Sequence, residues 1–154
     1  MARWNIPECQ WSDELLTHNE SIDAQHRELV KRMGQCIASL NAPHEFSFEE
    51  ELEILDLVVF LLDYVIAHFS HEERIMIESD FPDFLSHRIA HSYYITRLVE
   101  FKNRFKQEGF NEGLAEVFHR EIVEWLVNHI KYDDRRIASW SQSGVAHKPS
   151  PRHL

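Results

Sequence analysis

Histidines at helical spacing are the residues of this sequence with the clearest potential for chemistry. The 154-residue chain contains 11 histidines, and five of them fall on the apolar stripes of periodic segments: His26, His68, His87, His91 and His129. Residues four apart lie on one face of a helix, so His87 and His91 could direct two ligand atoms to one point. Glu72 stands at the same spacing from His68. Two such pairs are typical of a metal site built from helices.

A buried histidine taken singly is a weak sign of a metal. His26 alone would more often be a hydrogen-bonded core residue than a ligand. Five imidazoles and a carboxylate in one core would leave many buried polar groups half satisfied, a large cost against a total stability of about 5–15 kcal/mol. Because metal ligation removes that cost, we interpret the histidines as ligands.

The elements that must position these residues are long amphipathic helices. Apolar residues recur at alternating steps of three and four through residues 22–40, 47–79, 84–109 and 113–140. Ser47 and Glu50 match a capping box at the start of the second segment. Long helices joined by short links predict an all-α, antiparallel up-down-up-down four-helix bundle at residues 21–140. An N-terminal arm at residues 1–20 and a disordered tail at residues 141–154 would flank it.

The charge balance narrows the range of partners. With 26 acidic and 16 basic residues and a net charge of −10, the chain lacks the excess of Lys and Arg that binding to nucleic acids or anionic membranes requires. Residues 57–69 are too short to span a bilayer and carry Asp63, and the N-terminus lacks the apolar core of a signal peptide, which predicts a cytoplasmic protein. Cys36 is predicted in the core and Cys9 as a loose terminal thiol.

Two further motifs begin like known metal sites but are incomplete. The segment His71-Glu-Glu-Arg-Ile75 has Ile75 where the zinc-protease pattern needs its second histidine. Glu116-Val-Phe-His119 is a single Glu-x-x-His motif, whereas the ferritin-like pattern requires two, so we interpret it as a solvated pair. The histidines of the arm, loop and tail are predicted at the surface: His18, His44, His147 and His153.

The ligand candidates belong to a longer pattern that resembles the hemerythrins, in particular the single-domain bacteriohemerythrins. The resemblance covers roughly residues 11–140 and rests on Trp11, Ile22-Asp23-x-x-His26, His68-Phe69-x-x-Glu72, His87-x-x-x-His91 and Trp125-Leu126-x-x-His129-Ile130-x-x-x-Asp134. It implies a non-haem site of two iron ions (Fe2+/Fe3+). One iron would be held by His87, His91 and His129, the other by His26 and His68, and Glu72 and Asp134 would bridge them beside an oxo or hydroxo group. One position would stay open for dioxygen on the iron with two histidines.

The resemblance also implies an apolar wall around the oxygen site. Its residues would be Leu29, Phe69, Trp125, Leu126 and Ile130. The same residues would equally serve as ordinary core, and the two roles are compatible. Such a wall would keep water and protons away from bound dioxygen.

Two features of the pattern differ from what ideal helix geometry or the family would give: the position of the aspartate ligand and the turn before the first helix. Asp134 is five residues after His129, roughly 140° around an ideal helix, whereas Asp133 is four residues after it and better aligned. The family register favours Asp134, and a π-bulge would reconcile its angle. Glu72 is favoured over Glu73 by both register and facing. Upstream, Thr17-His18-Asn19-Glu20 replaces the glycine-containing turn that is common in the family, so we expect a change in the arm's path.

The function implied by the resemblance is reversible dioxygen binding for storage, transport or sensing, without enzymatic turnover. A di-iron peroxidase, oxidase or nitric-oxide-handling enzyme and an iron-handling or repair protein are the alternatives. A purely structural zinc site is disfavoured because the candidate ligands oversupply a tetrahedral ion. Besides dioxygen, we expect an oxygen-consuming recipient as partner and a monomeric state.

Overall fold

The computed structural model describes residues 4–143, and they form four long helices and no strand. A short 3-10 turn at Asp13–Leu15 precedes α1 (Glu20–Leu40), α2 (Phe48–Glu78), α3 (Phe84–Glu108) and α4 (residues 112–142). The all-helical prediction is confirmed. Among the residues described, none of the helices combines the length and the apolar composition that a membrane span requires.

The helix ends follow from local side-chain chemistry. The Asn19 side chain accepts a hydrogen bond from the backbone of Ile22 at 3.0 Å and caps the start of α1. At the start of α2, the predicted capping box is confirmed, since Ser47 and Glu50 each bond to the other's backbone N–H. Gly109 caps the end of α3, and its φ of 71° lies in the left-handed region that favours glycine.

Helix α4 alternates between two kinds of helical turn. It is α-helical at Glu112–Val117, Trp125–Asn128 and Arg135–Gln142, and π-helical at Phe118–Glu124 and His129–Asp134. A π turn holds an extra residue and therefore changes which residues face the core after it. The helix ends at Gln142, so the first two residues of the predicted tail are helical. Residues 144–154 of that tail lie outside the described range.

The helices pack around one main apolar core. Helix α2 contacts both α1 and α3, and α3 contacts the first π segment of α4. Ile6 and Leu15, from the segment before α1, are buried in the same core. The backbone of Ile6 also exchanges two hydrogen bonds of 2.8 Å with the Asn41 side chain.

The two cysteines differ from the expectation in one respect. Cys36 is buried in the core, as predicted. Cys9 is half-buried and packs against the core, so its description as a loose terminal thiol is wrong. Burial raises the pKa of the Cys9 thiol, because the thiolate would lose its hydration there.

Candidate metal centre

Two overlapping groups of buried side chains point their ligand atoms at a common region. The five-ligand group consists of Glu72, His87, His91, His129 and Asp134, and the four-ligand group consists of His26, His68, Glu72 and Asp134. Within each group the ligand atoms lie within 4.8 Å of one another. Every predicted metal-ligating residue belongs to one of the groups. The two groups meet at Glu72 and Asp134, which belong to both.

Each helix contributes to the cluster. His26 comes from α1, His68 and Glu72 from one face of α2, His87 and His91 from one face of α3, and His129 and Asp134 from α4. All of these residues are buried. Burying this many polar side chains together costs hydration free energy. An interaction that an apolar core does not provide must therefore compensate for that cost.

The second π segment decides which aspartate enters the cluster. His129–Asp134 is π-helical, which confirms the predicted π-bulge. The Asp134 side chain is fully buried, whereas that of Asp133 is 51% exposed. In a regular helix the residue four after His129 would share its face, but the wider turn transfers that place to the residue five after it.

The ligand atoms are at contact distance across the helices. In the four-ligand group, His26 Nε2 lies 2.9 Å from an Asp134 oxygen and His68 Nε2 lies 3.1 Å from a Glu72 oxygen. In the five-ligand group, Nε2 of His87 and of His129 each lie 3.2 Å from Asp134 Oδ1. His91 Nε2 lies 3.4 Å from Glu72 Oε1.

The outer ring nitrogens of three of the histidines face oxygen acceptors. His68 Nδ1 lies 2.7 Å from Gln25 Oε1. His129 Nδ1 lies 3.0 Å from Asp133 Oδ2, and His91 Nδ1 lies 3.3 Å from Glu73 Oε2. Because these oxygens only accept, the network assigns the hydrogen of each neutral ring to Nδ1 and leaves the Nε2 lone pair facing the cluster.

This pattern leaves buried polar atoms that a cation would satisfy. His91 Nε2 and His129 Nε2 face each other at 3.1 Å, so a positive charge, a proton or a metal ion, must lie at that contact. Both carboxylate oxygens of Glu72 and of Asp134 are buried without a hydrogen-bond partner, and so is His87 Nε2. Imidazole nitrogens and carboxylate oxygens are suitable ligands for iron or another divalent transition metal. The residues therefore fit a metal, and the cluster is able to bind one.

Burial and the two carboxylates set the electrostatics of the cluster. Burial lowers the pKa of His68 to about 4 and that of His91 to about 2, so both rings are neutral at pH 7, the form that binds metals. Burial and the neighbouring Asp134 raise the pKa of Glu72 well above its usual range. Burial opposes the charged form of His129 as well, but Asp134 and Asp133 raise its pKa to about 10.

Two residues of the predicted apolar wall, Phe69 and Trp125, lie against ligand rings of the cluster. Phe69 stacks on the His91 ring, with centroids 3.8 Å apart and planes 3° apart. Trp125 stacks on His129 at 4.7 Å, and its other ring neighbour is Tyr94, also at 4.7 Å. The aliphatic members of the wall are buried in the main core: Leu29, Leu126 and Ile130. Whether they border bound dioxygen stays a prediction.

The incomplete motifs lie elsewhere. His71 is outside the cluster and contacts the Ser21 hydroxyl at 3.3 Å. The predicted pairing of Glu116 with His119 is wrong, because Glu116 pairs with Arg120 at 2.5 Å. His119 pairs instead with Glu124 at 3.1 Å. His18 and His44 are exposed, as predicted, while His147 and His153 lie outside the described residues.

The turn before α1 contains a left-handed residue but no glycine, and the expected change in the arm's path stays a prediction. His18 itself adopts a φ of 69°, in the left-handed region. The buried Asp23 carboxylate accepts hydrogen bonds from the Thr17 backbone at 2.9 Å, the Thr17 hydroxyl at 2.7 Å and the His18 backbone at 3.1 Å. Three hydrogen bonds to one buried carboxylate therefore hold a histidine in a conformation that glycine adopts more easily.

Sequence reasoning missed the outer partners of the ligands. Glu73 and Asp133 were considered only as alternative ligands, and Gln25 was not considered. Their positions in the sequence could have indicated this role. Each is adjacent to a ligand residue, and from there its side chain reaches an imidazole ring on a neighbouring turn or helix.

Comparison with known proteins gives one family. The Hemerythrin HHE cation binding domain matches residues 17–140. A bacteriohemerythrin of Stenotrophomonas maltophilia (strain R551-3) is 30% identical over 128 residues, which cover 83% of this chain and 78% of that protein. A bacteriohemerythrin of Pseudomonas aeruginosa (strain LESB58) is 29% identical over 80% of this chain and 75% of its own length. A hemerythrin-like protein of Naegleria gruberi is 27% identical over 82% of this chain and 87% of its own length.

Proposed function

This chain belongs to the hemerythrin family, and we propose that it binds dioxygen reversibly at a pair of iron ions. The observation that carries the proposal is the pair of ligand groups that share two buried, unpartnered carboxylates. A single metal ion would not require two ligand groups. A carboxylate that belongs to both groups can offer one of its oxygens to each of two ions. The seven residues would all act as metal ligands.

In this proposal the ligands divide between the ions as the groups do. His87, His91 and His129 hold one iron, which we call the three-histidine position. His26 and His68 hold the other, the two-histidine position. Glu72 and Asp134, which belong to both ligand groups, would hold both irons. When bound, such a pair would supply the electrons for reversible binding of dioxygen.

The protein's own residues orient the ligands and keep the site dry. Oxygen acceptors outside the cluster fix the rings with Nε2 inward, which is the orientation that ligation requires. The rings of Phe69 and Trp125 cover the faces of two ligand imidazoles. Excluding water from those faces would limit loss of bound dioxygen and oxidation of the site.

The architecture in this proposal is an antiparallel up-down-up-down bundle with residues 1–20 as an arm. The links between helices, residues 41–47, 79–83 and 109–111, are short, and short links favour antiparallel neighbours. The hydrogen bonds of Ile6 to Asn41 support contact between the arm and the end of α1. Cytoplasmic location and a monomeric state stay predictions.

A redox enzyme on the same scaffold is the second candidate, and Trp125 is the observation that favours it. This oxidisable side chain is half-buried and stacks on both His129 and Tyr94. A ring between the cluster and the protein surface is a possible route for electrons. Steady consumption of a reductant and dioxygen by the iron-loaded protein, lost in Trp125→Phe, would establish this candidate over a carrier.

The experiment that tests the carrier proposal is an oxygen cycle on iron-loaded protein. Full-length chain is reconstituted with ferrous iron under argon, exposed to dioxygen and returned to argon while absorption is recorded. We expect oxygen-dependent charge-transfer bands that fade under argon and return with oxygen over repeated cycles. Bands that form once and never reverse, or no response to oxygen, would contradict reversible binding. The same cycle on an Asp134→Asn chain is the matched control and should give no bands.

A further inference from the structure

The outer acceptors of the cluster differ in charge between its two sides. In the three-histidine position, His129 faces the Asp133 carboxylate at 3.0 Å and His91 faces the Glu73 carboxylate at 3.3 Å. In the two-histidine position, His68 faces Gln25, a neutral amide, at 2.7 Å. The Nδ1 atom of the other histidine there, His26, is buried with no hydrogen-bond partner.

This difference changes the strength of the ligands. An Nδ1–H that donates to a carboxylate gives an imidazole with more negative charge on Nε2, which binds a cation more strongly. An amide oxygen orients the ring equally well but adds no charge. The three-histidine position therefore receives both orientation and charge from outside the cluster, and the two-histidine position receives orientation alone.

The two carboxylates are not equal. Glu73 also lies 3.4 Å from the Arg88 guanidinium, which neutralises part of its charge. Asp133 contacts His129 at the shorter distance and belongs to the same π segment as the ligand. We therefore expect Asp133 to have the larger effect of the two.

We propose that Asp133, assisted by Glu73, is a positioning residue that makes the three-histidine position the tighter metal site and the first to fill. Gln25 leaves the two-histidine position weaker, with its ring oriented but its charge unsupported. This inference rests on the proposed function for the identity of the ligands, and it makes no use of dioxygen.

The test is a stepwise titration of the metal-free chain with zinc. Calorimetry measures the affinity of each step, and NMR of chains with 15N-labelled histidine identifies the rings that bind. For the unmodified chain we expect two binding steps, and the zinc affinity of the first should be about tenfold higher than that of the second. The signals of His91 and His129 should shift in the first step and those of His26 and His68 in the second. Zinc serves as probe because it does not change oxidation state.

Charge substitutions separate a positioning role from a structural one. Asp133→Asn keeps an oxygen acceptor but removes the charge, and should weaken the first step by about 10-fold while leaving the second unchanged. Gln25→Glu adds a charge on the other side and should tighten the second step. The matched control is Glu124→Gln, which removes a carboxylate from His119, outside the cluster, and should leave both steps unchanged.

The outcomes distinguish this inference from the function it rests on. If two zinc ions bind but Asp133→Asn weakens both steps equally, or neither, the positioning role is overturned while the two-metal site stands. Filling of the two-histidine position first would overturn it as well. If the unmodified chain binds no zinc in the cluster, both the inference and the proposed metal site fail.

Discussion

The two ends of the main apolar core meet the requirements of burial in opposite ways. At one end, aromatic rings fill the core: the ring centroids of Phe101 and Phe118 are 5.1 Å apart, and those of Phe105 and Phe110 are 5.8 Å apart. These rings need no partner beyond one another. At the other end, imidazoles and carboxylates occupy the same kind of buried space, and several of their atoms have no hydrogen-bond partner. We call these the aromatic end and the polar end.

The difference shows where stability is intrinsic and where it depends on a ligand. Each buried polar group without a partner costs about 1–3 kcal/mol. Against a total stability of about 5–15 kcal/mol, a few such groups are a serious burden. The aromatic end should therefore be stable in the metal-free chain, and the polar end should require a cation to reach the same stability.

The largest expected effect is the loss of the metal pair in Asp134→Asn. This variant removes a charge from a carboxylate shared by both ligand groups. Asp133→Asn is the matched control, and it should still bind two ions at saturating metal, though the first less tightly. Metal content after desalting measures both. If instead Asp133→Asn lost the pair and Asp134→Asn kept it, the assignment of the buried aspartate would be overturned.

Truncation of a side chain at the aromatic end should lower the stability of the fold and leave metal binding intact. Phe118→Ala removes a fully buried ring, and should lower the free energy of unfolding by about 3–5 kcal/mol. Because Phe118 lies outside both ligand groups, the folded variant should still bind two metal ions. Urea unfolding and metal analysis give the two quantities. A loss of metal without a loss of stability would contradict the assignment of stability to the aromatic end and of metal binding to the polar end.

The pH dependence of the metal-stripped chain should reveal the polar end. The pKa of His129 is raised to about 10 in the folded state from 6.5, so folding is favoured by its proton below pH 6.5. That contribution is lost as the pH rises from 6.5 through 10. In zinc-loaded protein the metal replaces the proton, and the loss should be absent. Urea midpoints between pH 6.5 and 10 test this, and equal slopes for the two forms would contradict it.

A small gain is expected at the turn before α1. His18 has a φ of 69°, so His18→Gly should relieve backbone strain and stabilise the chain by about 0.5–1 kcal/mol. The backbone bonds of this residue to Asp23 are retained. His44→Gly is the comparison: His44 is an exposed loop residue outside the positive-φ region, and the change should be neutral or destabilising. A stabilising His44→Gly with an inert His18→Gly would contradict the strain argument.

Much of the fold and of the polar end follows from periodicity. The alternating three and four spacing and the Ser47–Glu50 box located the helices to within a few residues. The same stripes located the five histidines of the cluster, because a histidine on an apolar stripe must face the core. The position of Asp134 required the family register as well, since an ideal helix would have favoured Asp133.

The parts that could not be predicted depend on pairings across helices. The contact of Gln25 with His68 joins residues 43 positions apart, and no local pattern encodes it. The first π segment of α4 was not expected, because its sequence continues an ordinary apolar stripe. Likewise, the partners of Glu116 and His119 were chosen by competition among exposed charges, which spacing alone does not resolve.

The number of metal ions held by the folded chain distinguishes a shared two-metal site from a site for one ion or none. Full-length protein is loaded with ferrous iron under argon, freed of unbound metal and weighed intact by native mass spectrometry. We predict two iron ions in each chain, because two ligand groups converge on shared carboxylates at the polar end. A folded chain that holds one ion, or none, under these conditions would contradict it.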